Sequence, residues 1–516
     1  MNVYGGAIRD AVSPFASAAL RQPRSSVAIA VFFLLSLLLI FRICLGPTVL
    51  HDSLAVYWVW ADQFSLELVR GNLYPRWLPA SYAGLGAPVF YYYPPLSFYF
   101  TAVFELAGFS TYASLIAMFG SAFAASGIAC WYWLKGRSNY PLLGAVCFMA
   151  APYHVFDYVD RGALPESVAI ALLPLVAIGL RRIAEQRGGI VITAVAYAAM
   201  IGTHLPLALL SGVLLIAPYA IWHRRQFATF ALAVAMGIAA AAVYLLPALA
   251  LEPYHDGAQL YRAPNLRTDY WSVFNNNWSD PTFAMIFLIV AAVGATATLV
   301  TLRQRDRWAI HAILIGAIVS GFIPLIWSLP LLEKVQFPYR ALPIAEFALA
   351  TAIARLPLDR GLALKIAALP LLVSVIVLPG FHYAARDINR LTYLHPDVYE
   401  YLPRGVLPPH RTDVKLSDVL APRIPPPRVP GMVVEPRFYF PHLSCGRAEP
   451  RTKLLMHEPA CRPRIILTEP EKFGAAISLL AAMSLLALAW FGFSPPTAIA
   501  TTFNRHRRSG DRFGSK

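Results

Sequence analysis

Apolar stretches of bilayer length recur along most of the chain, and no other feature restricts its fold so severely. A helix crossing the hydrocarbon core needs ~20 mostly apolar residues, because its backbone polar groups must be satisfied within the segment. Runs such as Val27–Ile40 and Phe283–Val300 meet that need again and again. Of 516 residues, 58% are hydrophobic and only 14% charged, with a mean hydropathy of +0.55. A soluble domain carries about 25% charged residues to face water. The sequence therefore predicts an all-α polytopic membrane protein.

The net charge of +15 could suggest nucleic acid. Its positive residues, however, fall in short clusters between apolar runs: Arg181-Arg182, His223-Arg224-Arg225 and Arg303–Arg307. Cytoplasmic loops of membrane proteins look like this, so no nucleic-acid partner is expected. The first apolar run follows Arg21 and Arg24 and continues long enough to span, which reads as an uncleaved anchor. Cys44, Cys130 and Cys147 lie in apolar runs and read as small buried hydrophobes. Cys445 and Cys461 fall in the one long polar region, where an extracytoplasmic location would make a disulfide between them plausible. No CxxC or His/Cys cluster has zinc-ligand spacing.

Helical spans are predicted near 26–46, 112–134, 139–156, 165–181, 190–205, 206–222, 228–250, 281–302, 308–330, 341–357, 362–380 and 473–493. A further run, Val89–Gly108, is dense in tyrosine and phenylalanine and broken by Pro94-Pro95. If it crossed, Lys135/Arg137, Arg181/Arg182/Arg187, Arg224/Arg225 and Arg303/Arg305/Arg307 would all lie outside. If it only dips into the outer interface, all of them lie inside, as the positive-inside rule requires. The second topology gives about twelve spans with both termini cytoplasmic. It divides the chain into a cytoplasmic 1–25, a transmembrane domain 26–380 with an outer loop at 47–111, and an extracytoplasmic domain 381–472. A final span 473–493 and a basic tail 494–516 follow. Alternation within Gly431–Phe440 hints at strands in the extracytoplasmic domain.

This topology collects the chain's unusual polar residues on the outer face, although they played no part in choosing it. His51-Asp52 opens the first outer loop, ahead of a candidate interfacial helix with Tyr57, Trp58 and Trp60. A carboxylate held there can act as a general base, or can simply be a water-anchored span end. Arg161 and Glu166 flank the start of a span. They can form a mutual salt bridge, or Arg161 can grip a phosphate while Glu166 positions it. His204 sits between two spans and reads equally as a packing hydrogen-bonder; Glu252 lies at a span end. Arg340, in Glu333–Arg340, suits either interface anchoring or the docking of a lipid phosphate.

These pieces resemble a known group. HD at 51–52, GNLYPRW at 71–77, GLGAPVFYYYPPLSFY at 84–99 and YVDRGALPESVA at 158–169 are similar to segments of the bacterial 6-pyruvoyl-tetrahydropterin synthase-related membrane proteins. TH at 203–204, QFPYRAL at 336–342 and EYLP at 400–403 continue the likeness in order. More distantly the chain is similar to YfhO-like proteins, and both groups sit in the GT-C superfamily of polyprenyl-phosphate-dependent glycosyltransferases. The resemblance implies a GT-C-like fold with interfacial helices in the first outer loop and a polyprenyl-phosphate sugar as donor. It implies a catalytic Asp52, with Arg161 and Arg340 binding the donor phosphate. His51, Arg76, Glu166, His204 and Glu252 are further substrate-binding candidates. The first loop lacks a DxD motif, so neither a metal nor another cofactor is expected. The pterin synthesis in the family's name uses a three-histidine zinc site in a soluble enzyme, and the histidines here are scattered.

The expected activity is transfer of a sugar to a cell-envelope glycan, lipid or protein acceptor outside the bacterial cytoplasmic membrane. Alternatives are a non-catalytic lipid-binding or assembly protein and a transporter of lipid-linked saccharides. The latter needs a polar path, which the nearly charge-free inner halves of the spans disfavour. The topology is open to a direct check: Ser138→Cys, with the other free cysteines removed, should react with an impermeant thiol reagent only from the cytoplasmic side. Labelling in intact cells would mean that 89–108 crosses.

Overall fold

A computed structural model describes residues 25–45, 52–261, 263–377, 398–407 and 415–491. Among these, six helices are long and apolar enough to cross a membrane, or seven if one bent pair counts as a span. They include Thr111–Leu134, Leu164–Ala184, Pro281–Gln304 and the final helix from Glu469. Of the other predicted spans, 26–46 is one continuous helix, Ser25–Leu45, and several are shorter helices whose ends have local causes. The Ile190–Thr203 helix stops where His204 turns extended, just before Pro206. There the His204 ring accepts a hydrogen bond from the Leu207 N–H and caps the next helix. The Arg307–Val319 helix gives way at Ser320 and Gly321, whose φ of 86° no longer continues a helix. The described helices thus do not by themselves give twelve crossings.

The bent pair, Arg224–Ala240 and Ala242–Ala250, turns by 69° at Ala241. Pro247 has no N–H, so the Val243 carbonyl four residues earlier loses its helical partner. Arg76 supplies the replacement, donating from Nη2 to the Val243 oxygen at 2.8 Å. The Val243 N–H in turn donates to Ser478 Oγ on the final helix at 2.8 Å. The break is therefore stitched to two distant parts of the chain.

Val89–Gly108 forms two helices, Val89–Tyr92 and Leu96–Leu106, separated at Pro94-Pro95. The longer is 11 residues, about 16 Å at 1.5 Å per residue, and so falls short of the ~30 Å core. Its aromatic rings are structural. Phe90 meets Phe98, Trp60 and Phe64 edge to face at 4.8–6.0 Å, joining this segment to the Asp52–Val69 helix.

The polar region before the last helix carries a small antiparallel sheet, so the all-α expectation needs this one amendment. Its strands are β1 (Val433–Phe438), β2 (Arg447–Ala448) and β3 (Leu454–His457), in the order β1-β3-β2. Cys445 and Cys461 are joined in a disulfide. Arg423 is buried at 2% exposure and donates to the carbonyls of Thr452, Val419 and Val406. The sheet docks on the first loop through Phe438 N–H to Leu85 O at 2.8 Å and through Phe440 against Trp77 and Tyr91.

Arg76 also pairs with Glu471 at 2.9 Å, with both side chains less than one-tenth exposed. Removing one member of a buried pair strands the other, at a cost of about 3–5 kcal/mol. Arg76→Ala should accordingly lower the thermal unfolding midpoint, and the apolar pair Arg76→Met with Glu471→Leu should recover the part due to the stranded carboxylate but not the part due to the Val243 hydrogen bond.

Candidate functional site

A cavity of ≈590 Å³ opens between the bundle, the start of the Asp52–Val69 helix and the segment around Tyr401. Its volume suits a small-molecule ligand. Four of the sequence-derived candidates meet in its wall: Arg161, Glu166, His204 and Arg340.

Behind the wall lies the Pro152–Val159 helix, in which Tyr153 and Asp157 stand four residues apart, with the lining residue Arg161 a further four on. That spacing stacks them on one face. The chain then turns at Gly162, φ 58°, where a Cβ would lie 2.8 Å from Leu54 Cβ. Only glycine lets this turn sit so close to the helix that Asp52 opens. Leu164 and Pro165 start the next helix, and Glu166 occupies its first turn, where the helix dipole favours a negative charge.

Arg161 Nη1 donates to Asp157 Oδ1 and Glu166 Oε2, each at 2.6 Å. The simple reading of Arg161 and Glu166 as a salt bridge is thus realised, with a second carboxylate added. Glu166 also accepts from Tyr153 Oη at 2.7 Å. It has Arg340 Nε at 3.4 Å and His204 Nε2 at 3.7 Å, too far for strong hydrogen bonds. The Arg340 Nε is buried without a hydrogen-bond partner among the described residues, and its guanidinium lies 4.7 Å from the Phe337 ring centroid. Burial pushes the Tyr339 phenol up to about 12 despite Arg161 and Arg340, so its hydroxyl stays protonated as a donor.

Aromatic rings form much of the remaining wall: Tyr57, Trp60, Tyr93, Trp271 and Tyr401. Tyr57 and Tyr93 share a hydroxyl hydrogen bond of 2.7 Å. Asp160, Asp280 and Glu400 add carboxylates, and Gln336 an amide. The lining is therefore mixed in charge, with cations, anions and flat apolar faces together. That combination can hold a ligand carrying an anionic group, several hydroxyls and an apolar face.

Ser53 lines the cavity directly after Asp52, which begins its helix; His51 lies outside the described residues. Arg76 and Glu252 do not join the site. Arg76 clamps Val243 and Glu471, and the exposed Glu252 faces Arg404 at 3.5 Å. Sequence reasoning missed Tyr153 and Glu346, which sit in runs counted as membrane spans, and Asp157, which opens the outer loop after one of them. Glu346 accepts the Tyr153 N–H at 2.7 Å and so anchors the helix that carries the cluster. The four-residue spacing of Tyr153, Asp157 and Arg161 was the available signal. Among the described residues, no three His, Cys, Asp or Glu side chains group as metal ligands would.

Comparison with known proteins gives one family and three distant solved structures. The chain is similar over 71% of its length, at 18% identity and a TM-score of 0.42, to the arabinofuranosyltransferase AftD from Mycobacteria. It spans only 27% of that protein. It is also similar to ArnT from Cupriavidus metallidurans, a structure bound to undecaprenyl phosphate. That match has 15% identity, a TM-score of 0.40, and covers 70% of this chain and 72% of the other. Likenesses this distant transfer no activity. No curated protein matches the chain. The model of the family described as "6-pyruvoyl-tetrahydropterin synthase related domain; membrane protein" matches residues 90–383. That match takes in more than half of the sequence and the whole Tyr153–Arg340 cluster, and the chain belongs to this family of membrane proteins.

Proposed function

We propose that the protein is a membrane glycosyltransferase that moves a sugar from a polyprenyl-phosphate donor to a cell-envelope acceptor on the extracytoplasmic face. The reading includes a GT-C-like fold of twelve spans, both termini cytoplasmic, in a bacterial inner membrane. One observation carries it: Arg161 and Arg340 converge on one aromatic-walled cavity beside the helix that Asp52 opens.

The chemistry follows from that arrangement. Asp52 takes the proton of an acceptor hydroxyl as its oxygen attacks the anomeric carbon, with inversion. The bond from that carbon to the donor phosphate breaks, and polyprenyl phosphate departs with the electron pair. Charge grows on the leaving phosphate in the transition state, so cations fixed in advance lower the barrier. Arg161 is held by two carboxylates and serves as a rigid donor, whereas Arg340 keeps its Nε free of hydrogen bonds. Asp160, Asp280 and Glu400 suit sugar hydroxyls, and Trp60 and Tyr401 offer flat faces. Glu166 and His204 position the arginines.

Purified protein given a polyprenyl-phosphate sugar and membrane acceptors should form glycosylated product. Arg340→Ala should reduce transfer by about 10²–10³-fold, the cost of removing one fixed transition-state donor. Asp52→Asn should bind donor normally and transfer about 10²–10⁴-fold more slowly; full transfer by this variant would remove its role as base. Gly162→Ala, which pushes Leu54 away, should also lose transfer while the protein still folds and binds donor.

A further inference from the structure

The helices that carry the cluster also build a second cavity at their opposite ends. The Leu164–Ala184 helix has Glu166 in its first turn and Arg181 in its last, about 22 Å apart along the axis at 1.5 Å per residue. Arg340 and Arg355 bracket the Leu342–Ile353 helix in the same way. At the Arg181 and Arg355 end lies a cavity of ≈470 Å³, walled by Trp133, Tyr219, Trp222 and Trp308. Arg137, Arg181, Arg307 and Arg355 line it with a single carboxylate, Glu185.

Two of these arginines are already neutralised. Arg137 pairs with Glu185, and Arg355 Nη1 lies 3.3 Å from Asp306 Oδ2. The other two pair with no carboxylate among the described residues. Arg181 lies over Trp133, 4.9 Å from the ring centroid, and donates to the Trp133 carbonyl. Its Nε is buried with no hydrogen-bond partner. Arg307 lies over Trp222 at 5.7 Å and is exposed toward the opening. Stacking on tryptophan orients a guanidinium while leaving the N–H groups at its edge open, and those not already engaged match phosphate oxygens. Two guanidiniums on one cavity, with no carboxylate among the described residues paired to either, leave positive charge that an anionic ligand can neutralise. The cavity falls within the ~300–1,000 Å³ range of small-molecule sites, roomier than a bare ion needs.

We propose that this cavity binds an organic phosphate headgroup, with Arg181 and Arg307 as its phosphate ligands. The basic loops assign this end to the cytoplasm, and tryptophan and tyrosine belong at the membrane–water boundary. The group can arrive as an anionic glycerophospholipid of the inner leaflet or as a soluble organic phosphate. The site is independent of the activity proposed for the other cavity.

The full-length protein in nanodiscs of phosphatidylcholine and phosphatidylglycerol in equal parts provides the test. Native mass spectrometry should show phosphatidylglycerol retained in preference to phosphatidylcholine. Arg307→Gln, an exposed change that leaves the fold alone, should weaken retention about fivefold, and Arg181→Gln with Arg307→Gln should weaken it further. Arg225→Gln, exposed and outside the cavity, should match wild type. A tryptophan-fluorescence titration with glycerol 3-phosphate separates the two sources. Saturable, Arg307-dependent binding of this probe without lipid preference would identify a soluble phosphate and still support the site. The proposal is overturned if neither probe depends on Arg307, or if Arg225→Gln weakens binding as much.

Discussion

Glu166 is enclosed within the helical bundle at 1% exposure, where an ionised carboxylate is tolerable only with cations and hydrogen-bond donors at contact distance. Much of the surrounding backbone meets that demand. The Pro152–Val159 helix delivers Tyr153 and, two residues past its end, Arg161; the Phe337–Arg340 turn delivers Arg340; and the break at His204 delivers an imidazole. Asp157 balances the second positive charge and is itself held by Ser167 at 3.0 Å. Because Arg161 Nη1 is shared between two carboxylates at equal distance, its head is fixed more rigidly than one partner could fix it.

The cavity beside this cluster is assembled from parts far apart in sequence. Tyr57 and Trp60 come from the first loop, Trp271 and Tyr339 from the middle of the chain, and Tyr401 from the segment leading into the sheet. Trp60 meets Tyr401 edge to face at 5.6 Å and Tyr93 at 5.1 Å, so ring packing alone aligns two of these walls. The small sheet matters here as a buttress, since β1 bonds to Leu85 and Phe440 packs on the first loop. Burial of Arg423 by three carbonyls stiffens that buttress without a salt bridge.

Arg161, Glu166, His204 and Arg340 were legible in the sequence because charge asymmetry between loops assigns them to one face, and one face is where a site can form. Val89–Gly108 was legible because Pro94-Pro95 interrupts a helix wherever it occurs. Arg76 and Glu252 looked equivalent to the others by the same argument, yet their partners are set by long-range packing. Arg76 answers a carbonyl freed by Pro247, a defect that hydropathy does not register. Glu346 was hidden for the converse reason, since one acid in an apolar run barely changes its mean hydropathy. The number of crossings suffered likewise: hydropathy measures the preference of a segment for lipid, and breaks at Ala241 and Gly321 concern helix continuity.

The final helix is largely turned toward lipid, with only 17% of its apolar window buried, yet its foot holds some of the longest-range contacts in the molecule. Glu471 receives Arg76 there and lies 3.5 Å from the Tyr91 hydroxyl, 380 positions away in the chain. A ribosome makes Arg76 and Tyr91 early and Glu471 near the end. Through most of synthesis the first loop carries a cation whose eventual counter-charge does not yet exist. The contacts that fasten this loop to the helix from Glu469 are therefore open to it only after some 380 further residues have been made.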